Sequence, residues 1–313
     1  MFRRLFRWLF RLVVLAIVLF IVAVIVDYFT HRVAPGSVLV IQLKGAVVER
    51  GGGGVTGLFG AAGTPLNVVR KALNDGANDR RIDGLAIEIF EPRMELAQAQ
   101  ELCAMIRAFA SHDKWTAAYL ETAGDFGPGN LPYLVASAAQ QVAMMPQGEL
   151  NLVGVGVREL FARGLLDKIG VKPDLYAIGK YKTAANIFTH SDFTPAQHEE
   201  DTALVSGMFN QIVGQAASQR RLRPDAIREI VDQAPLTARN GLKLHLVDRL
   251  EYQDQFTARI RHHGDRKHAL LDYQDYERSW LIPSWRHRTK IAVVYGTGAI
   301  ESGQGGFDPL LSP

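Results

Sequence analysis

The sequence predicts an α/β domain carried behind a single membrane-spanning helix. Three observations lead there. An uninterrupted apolar run, Leu12 to Val26, follows four arginines; the body alternates helical and strand patterns over short connections; and the chain has one cysteine. A lone Cys103 rules out an internal disulfide and a multi-cysteine zinc site. With 48% apolar and 21% charged residues over 313 positions, the chain as a whole is neither disordered nor a collagen-like repeat.

The positive charge sits at one end. Residues 1–32 hold Arg3, Arg4, Arg7, Arg11 and Arg32 against Asp27, a local charge of +4. The rest keeps 30 of the 35 Lys and Arg and 31 of the 32 acids, so the body carries −1. A nucleic-acid-binding body, which needs a basic face, is not expected. Trp8 to Val26 is 19 residues broken only by Arg11, whose stem can reach the membrane interface. At ~1.5 Å per residue this approaches the ~30 Å hydrocarbon core. Tyr28 and Phe29 extend the lipid-contacting segment to residues 8–29. Arginines before the run and an acid after it place the amino end inside and the body outside. A cleaved signal peptide fits less well: its apolar region spans only ~7–15 residues, and no small-x-small pair follows this run closely.

The body follows a breaker pair, Pro35-Gly36. Val38–Leu43 is a short apolar run of the kind a buried parallel strand shows. The glycines at 51–54, 57, 60 and 63 form a loop without the GK[ST] sequence of a phosphate cradle. Helices are expected at Leu66–Leu73, Leu96–Phe109, Leu131–Ala139 and Val157–Ile169. Strands are expected at Gly84–Phe90, Thr116–Leu120, Gln141–Met145 and Leu175–Ile178. A longer helical region runs from Thr194 to Val231, interrupted at Pro224. Residues 38–47 also resemble residues 291–300 at an offset of 253, matching Val40 with Val293, Gly45 with Gly298 and Ala46 with Ala299. A period that long is a domain duplication. The expected organisation is therefore a basic tail and anchor (1–32), one α/β domain (33–289) and the opening of a second, repeated domain (290–313).

The segment most specific in sequence is Gly179-Lys180-Tyr181-Lys182-Thr183-Ala184. Phe188 follows, then Asp192-Phe193-Thr194-Pro195-Ala196-Gln197 and the acids Glu199, Glu200 and Asp201. This pattern resembles the signal peptide peptidase A (protease IV) family of membrane-bound serine proteases, with its G-x-Y-K-[ST]-A and later [ST]-P-A segments. Thr237 to Asp248 is similar to that family's T-G-x-x-A-x-x-x-G-L-V-D stretch. The resemblance implies a Clp protease/crotonase-like fold and a Ser/Lys dyad with no cofactor or metal. It also implies assembly into homo-oligomers, a single-pass place in the bacterial inner membrane with a periplasmic body, and hydrolysis of cleaved signal peptides and other hydrophobic peptides. Double-length members take the lysine from the first domain and the serine from the second. This chain matches the first, and Lys182 matches the lysine; Lys180 stands where the family tolerates many residues.

The chemistry of that lysine can be stated independently. A serine hydroxyl becomes a nucleophile when a base within hydrogen-bond reach takes its proton. Lysine is that base only when neutral, and burial makes it so by disfavouring the ammonium. A helix starting just after Lys182, with Thr183 as its cap, would add a repelling partial charge.

The nucleophile itself is missing. Thr122 to Tyr133 replaces the family's G-G-x-A-A-S-G-G-Y, with Asn130 or Leu131 near the serine position, and Ser302 and Ser312 lie outside that context. Ile187 stands for the usual proline and Phe193 for the usual methionine. By itself the chain is expected to be inactive; the alternative is a non-catalytic membrane scaffold or peptide-binding domain, a truncated product. His198 does not open an HExxH site, because Thr202 occupies the second histidine position. His262, His263 and His268, with Asp265 and Asp272, read as part of a charged connector from Arg259 to Arg288. Cys103 reads as a small core residue. Glu88 and Glu91 flank a strand end without forming an acid/base pair.

Overall fold

A computed structural model describes residues 33–51, 63–125 and 127–278, with scattered positions between 11 and 22; the side chains of residues 265, 277 and 278 are excepted. Among the described residues no helix is long and apolar enough to cross a membrane. The expected anchor at 8–29 lies largely outside them, and the repeat at 290–313 lies wholly outside.

Among the described residues nine strands form in chain order: β1 (Ser37–Val48), β2 (Gly63–Pro65), β3 (Ile82–Arg93), β4 (Trp115–Leu120), β5 (Gln141–Met144), β6 (Glu149–Leu150), β7 (Leu236–Thr237), β8 (Arg249–Leu250) and β9 (Leu270–Asp272). The main sheet runs β2-β1-β3-β4-β5-β8, with β9 also on β1, and every pairing in it is parallel. β6 and β7 form a separate antiparallel pair. The parallel α/β sheet expected from alternating elements is therefore present.

Strand alternation divides the side chains between two layers. Leu39, Ile41, Leu43, Leu85, Ile87, Ile89, Leu120 and Met144 face one side. There they meet α1 (Leu66–Asn78), α2 (Leu96–Ala110) and α3 (Asn130–Ser137), through Val69, Leu73, Leu102, Ile106 and Leu134 among others. The opposite face offers Val38, Ala86, Ala117, Tyr119 and Ala143 to the helix Gln253–Arg261. Its alanines let Phe256 and Ile260 approach the backbone closely. Cys103, on α2, is fully buried and gives its thiol to the Leu134 carbonyl at 3.3 Å; burial pushes that thiol up to about 11. It is a core residue, as its place on the helix face suggests. Gly84 is required by packing, because a Cβ there would sit 2.3 Å from the Trp115 ring.

Between β5 and β8 lie α4 (Arg163–Lys168), α5 (Asn186–Thr189), α6 (Pro195–Arg220), α7 (Pro224–Val231) and α8 (Ala238–Lys243). After β8 come α9 (Gln253–Arg261) and, behind a 3-10 turn at His263–Asp265, α10 (Tyr273–Arg278). Two expectations fail in this half. Val157–Ile169 forms helix only over Arg163–Lys168, and Leu175–Ile178 pairs with no strand among the described residues. Neither stretch joins the buried clusters on the sheet, so nothing selects the regular structure its composition favours. A third correction concerns the supposed solvated connector. Its residues 270–272 pair with β1, Tyr273 and Tyr276 are buried, and His268 is buried, its ring nitrogens 2.7 Å from the Gly36 carbonyl and 2.9 Å from the His263 carbonyl.

The far end of α6 is fixed to the sheet by Arg220. Its guanidinium reaches Asp248 at 2.6 Å and 3.1 Å and the His245 carbonyl at 2.9 Å and 3.1 Å; Asp248 also accepts the Val142 amide of β5 at 2.7 Å. Burial would raise the Asp248 carboxyl, but Arg220 and the Val142 amide outweigh it and hold it below the usual carboxylate range. The stabilisation is therefore present above the unfolded carboxyl's pKa of about 3.9 and is lost as pH falls through the lower folded value. Asp248→Asn is expected to cost about 1–2 kcal/mol at neutral pH, discounted because Asp248 remains partly in solvent. It should also flatten the loss of stability on acidification. Urea unfolding at neutral and acidic pH checks both, and equal acid sensitivity in the two proteins would refute the assignment.

Candidate active site

Lys182 stands in a turn that leads into α5, not at the helix start itself. Gly179 opens the turn with φ +111°, a backbone conformation suited to glycine, and the Lys182 amide donates to the Gly179 carbonyl at 3.3 Å. Thr183 is not the N-cap; α5 begins at Asn186 after Ala185 and runs only four residues. The Thr183 hydroxyl donates instead to Glu200 at 3.2 Å. A one-turn helix gives little of the expected dipole.

The start of α6 anchors this turn. Thr194 caps α6 through the Gln197 amide at 3.3 Å, with Pro195 at the first helical position. Asn186 donates to the Gln197 side chain at 2.9 Å and to Thr194 at 3.3 Å, and Gln197 in turn donates to Glu159. Phe161 and Phe193 meet edge to face at 5.3 Å. The T-P-A segment thus works as a helix start that holds the lysine-bearing turn.

The two lysines differ in their partners. Lys180 donates to Glu199 at 2.6 Å and to the Tyr181 hydroxyl at 3.1 Å, while Tyr181 donates to the other Glu199 oxygen at 2.8 Å. Glu199, then Tyr181, push the Lys180 ammonium up to about 12, which keeps it charged. Lys182 instead borders a hollow of about 850 Å3 whose other walls include Leu175, Tyr176, Ile178, Tyr181 and Phe188. Both lysines are exposed in the chain alone. The Lys180–Tyr181–Glu199 group was missed in the sequence; the signal was a basic and an acidic residue in two adjoining motifs.

Near the place where the resemblance expects the serine, at Asn130 or Leu131, the chain forms a lock. Asn130, at the first residue of α3, is buried; its amide donates to the Val153 carbonyl at 2.7 Å and its oxygen accepts the Val153 amide at 2.9 Å. The preceding loop is closed just as tightly. One Glu91 oxygen accepts the Gly124 and Asp125 amides at 2.9 Å and 2.7 Å, and Gly124 takes φ +100°. Glu91 itself adopts φ +43°, a strained backbone for a residue with a side chain. Neither Glu91 nor Asn130 has a geometry for nucleophilic attack. Glu88 is buried on β3 and accepts from Gln42 and Gln253 at 2.9 Å and 3.1 Å, a structural role.

Two outcomes follow from these geometries. Asn130→Ala should destabilise the chain by about 1–3 kcal/mol, because the half-buried Val153 amide and carbonyl both lose their partners; chemical denaturation reads this directly, and an unchanged midpoint would refute the lock. Amine acetylation near pH 10, mapped by mass spectrometry, should leave Lys180 less modified than Lys182, with Glu199→Gln raising Lys180 labelling. Equal labelling in both proteins would refute the ion pair.

Residues 128–266 match the profile of Peptidase family S49. The chain is 21% identical over 292 residues to the chloroplastic serine protease SPPA of Arabidopsis thaliana, covering 91% of this chain and 41% of that protein. It is 25% identical over 291 residues to Protease 4 of Salmonella typhi, covering 85% and 46%. It thus spans less than half the length of either relative. Among solved structures, a ClpP1 mutant from Listeria monocytogenes aligns with a TM-score of 0.41 at 10% identity, covering 69% of this chain and 92% of that one. The profile match, whose span holds both Asn130 and Lys182, and the similarity to the two proteases support the signal peptide peptidase A family.

Proposed function

We propose that this chain is the lysine-bearing part of a membrane-anchored serine peptidase of the Ser/Lys type. Lys182 is the general base, and the serine comes from protein beyond this chain. The observation that carries the reading is the division of labour between two lysines of one turn. Lys180 is committed to Glu199, whereas Lys182 borders an apolar hollow. In the reaction the neutral Lys182 amine takes the serine hydroxyl proton as the oxygen attacks the scissile carbonyl. The ammonium then protonates the departing amine, leaving an acyl-enzyme. A water attacks next, its proton again passing to Lys182 and then to the serine oxygen as the acid leaves. Apolar peptides, among them signal peptides already cleaved, are the substrates that suit a hollow walled by Leu175, Ile178 and Phe188. Residues 8–29 anchor the enzyme in the bacterial inner membrane with its body on the periplasmic side, and copies of the enzyme associate.

A second reading has its own support. Asn130, near the expected serine position, and Glu91 on the neighbouring amides suit a non-catalytic membrane scaffold or peptide-binding domain. Peptide hydrolysis distinguishes the two. In a protein that continues into a serine-bearing segment, Lys182→Ala should reduce kcat/KM by about 10^2–10^4-fold, the range for a general base. Lys180→Ala should leave it within a few-fold. Activity surviving Lys182→Ala would overturn the assignment, and a continued protein without any hydrolysis would favour the scaffold.

A further inference from the structure

His268 is the one buried histidine among the described residues, and both of its ring nitrogens face carbonyl oxygens. Nδ1 lies 2.7 Å from the Gly36 oxygen and Nε2 2.9 Å from the His263 oxygen. A neutral imidazole has one N–H and one lone pair, so it bonds one of these oxygens and turns its lone pair on the other. The imidazolium bonds both. Asp83 supplies a countercharge, its carboxylate 3.7 Å from Nδ1.

These bonds join distant parts of the chain. Gly36 belongs to the turn by which the chain enters β1, 232 residues before His268. It takes φ +78°, and a Cβ there would stand 3.3 Å from the Asp83 carboxylate. Directly after His268, the Ala269 carbonyl accepts the Val38 amide at 2.8 Å, and β9 pairs with β1. The ring therefore sits where the entry turn, β3 and β9 meet.

The groups around it leave room for one charged ring. Trp115 on β4 contacts two imidazoles, stacked on His263 at 4.2 Å and edge-on to His268 at 6.1 Å. Burial, then the charges of His268 and of Arg259 on α9, hold His263 below the usual imidazole range. Lys114 also feels Asp83, but its ammonium is taken up by the Gly76 and Asp79 carbonyls at 2.5 Å and 2.6 Å. Arg261 meets His268 through its backbone carbonyl at 2.8 Å, and the neighbouring Arg266 and Lys267 are exposed.

We propose that His268 is a pH-sensitive clasp between the entry turn and β9, complete while the ring carries both protons and one bond short after it loses one. The contribution of such a ring is full below the unfolded imidazole's pKa of about 6.5 and is lost as pH rises through the folded value. The clasp is tight in acid and loosens in base.

Hydrogen–deuterium exchange of the full-length chain in detergent, read by mass spectrometry over residues 268–276, tests this. Corrected for the intrinsic rate, β9 protection should fall on the order of tenfold between about pH 5.5 and about pH 8.5, the loss of one hydrogen bond to a charged group. Peptides from β4 and β5 should keep theirs. His268→Gln, which does not titrate, should hold β9 protection level over the same range. His263→Phe keeps a ring on Trp115 and should leave the wild-type fall intact. If His268→Gln does not fold, Asp83→Asn decides, because removing the countercharge should move the fall to lower pH. Level protection in the wild type, a fall that persists in His268→Gln or vanishes in His263→Phe, or one unmoved in Asp83→Asn overturns the proposal.

Discussion

Parallel pairing is the constraint on which the structure depends. A hairpin cannot join parallel neighbours, so each step across the main sheet requires a crossover long enough to return over the face. From β1 to β5 the crossovers are compact, and α1, α2 and α3 cover the face they cross. The last step, β5 to β8, is different. Its crossover runs from Met145 to Asp248 and contains the candidate lysine, the exposed apolar arm at 157–188 and the longest helix among the described residues. The candidate lysine and the apolar arm are thus held in one connection, which the Arg220–Asp248 pair ties back to the sheet.

That geometry explains which parts could be read from sequence. Through β5, the strands are covered by helices on both faces, α1 to α3 on one and α9 on the other, so the apolar pattern and the final structure report the same burial. Leu96–Phe109 and Gly84–Phe90 were legible within a few residues for this reason. Residues 157–178 were not, because their apolar spacing describes burial that this chain does not supply. The stretch after Arg259 failed in the opposite direction. Its many charges suggested solvent, yet His268 turns inward and the spacing of Tyr273 and Tyr276 places both against the core. Three residues apart on a helix is a packing signal, and the surrounding charge masked it.

The site shows a similar split. The motif marks the turn that carries Lys182, and its T-P-A segment forms the cap of α6. Partnership among charged groups was not legible, because Glu199 approaches Lys180 only after the helix folds back beside the turn. Nor did the loop at 122–130 announce its closure. That residues 122–133 hold no serine is visible in sequence, but Glu91 on two amides and Asn130 on both Val153 groups are long-range contacts.

These observations together separate two requirements of a lysine base. Orientation is local: Gly179, the Asn186–Gln197 bond and the capped α6 hold the turn within the chain. Desolvation is not, since the side chain stands exposed and its apolar neighbours are exposed with it.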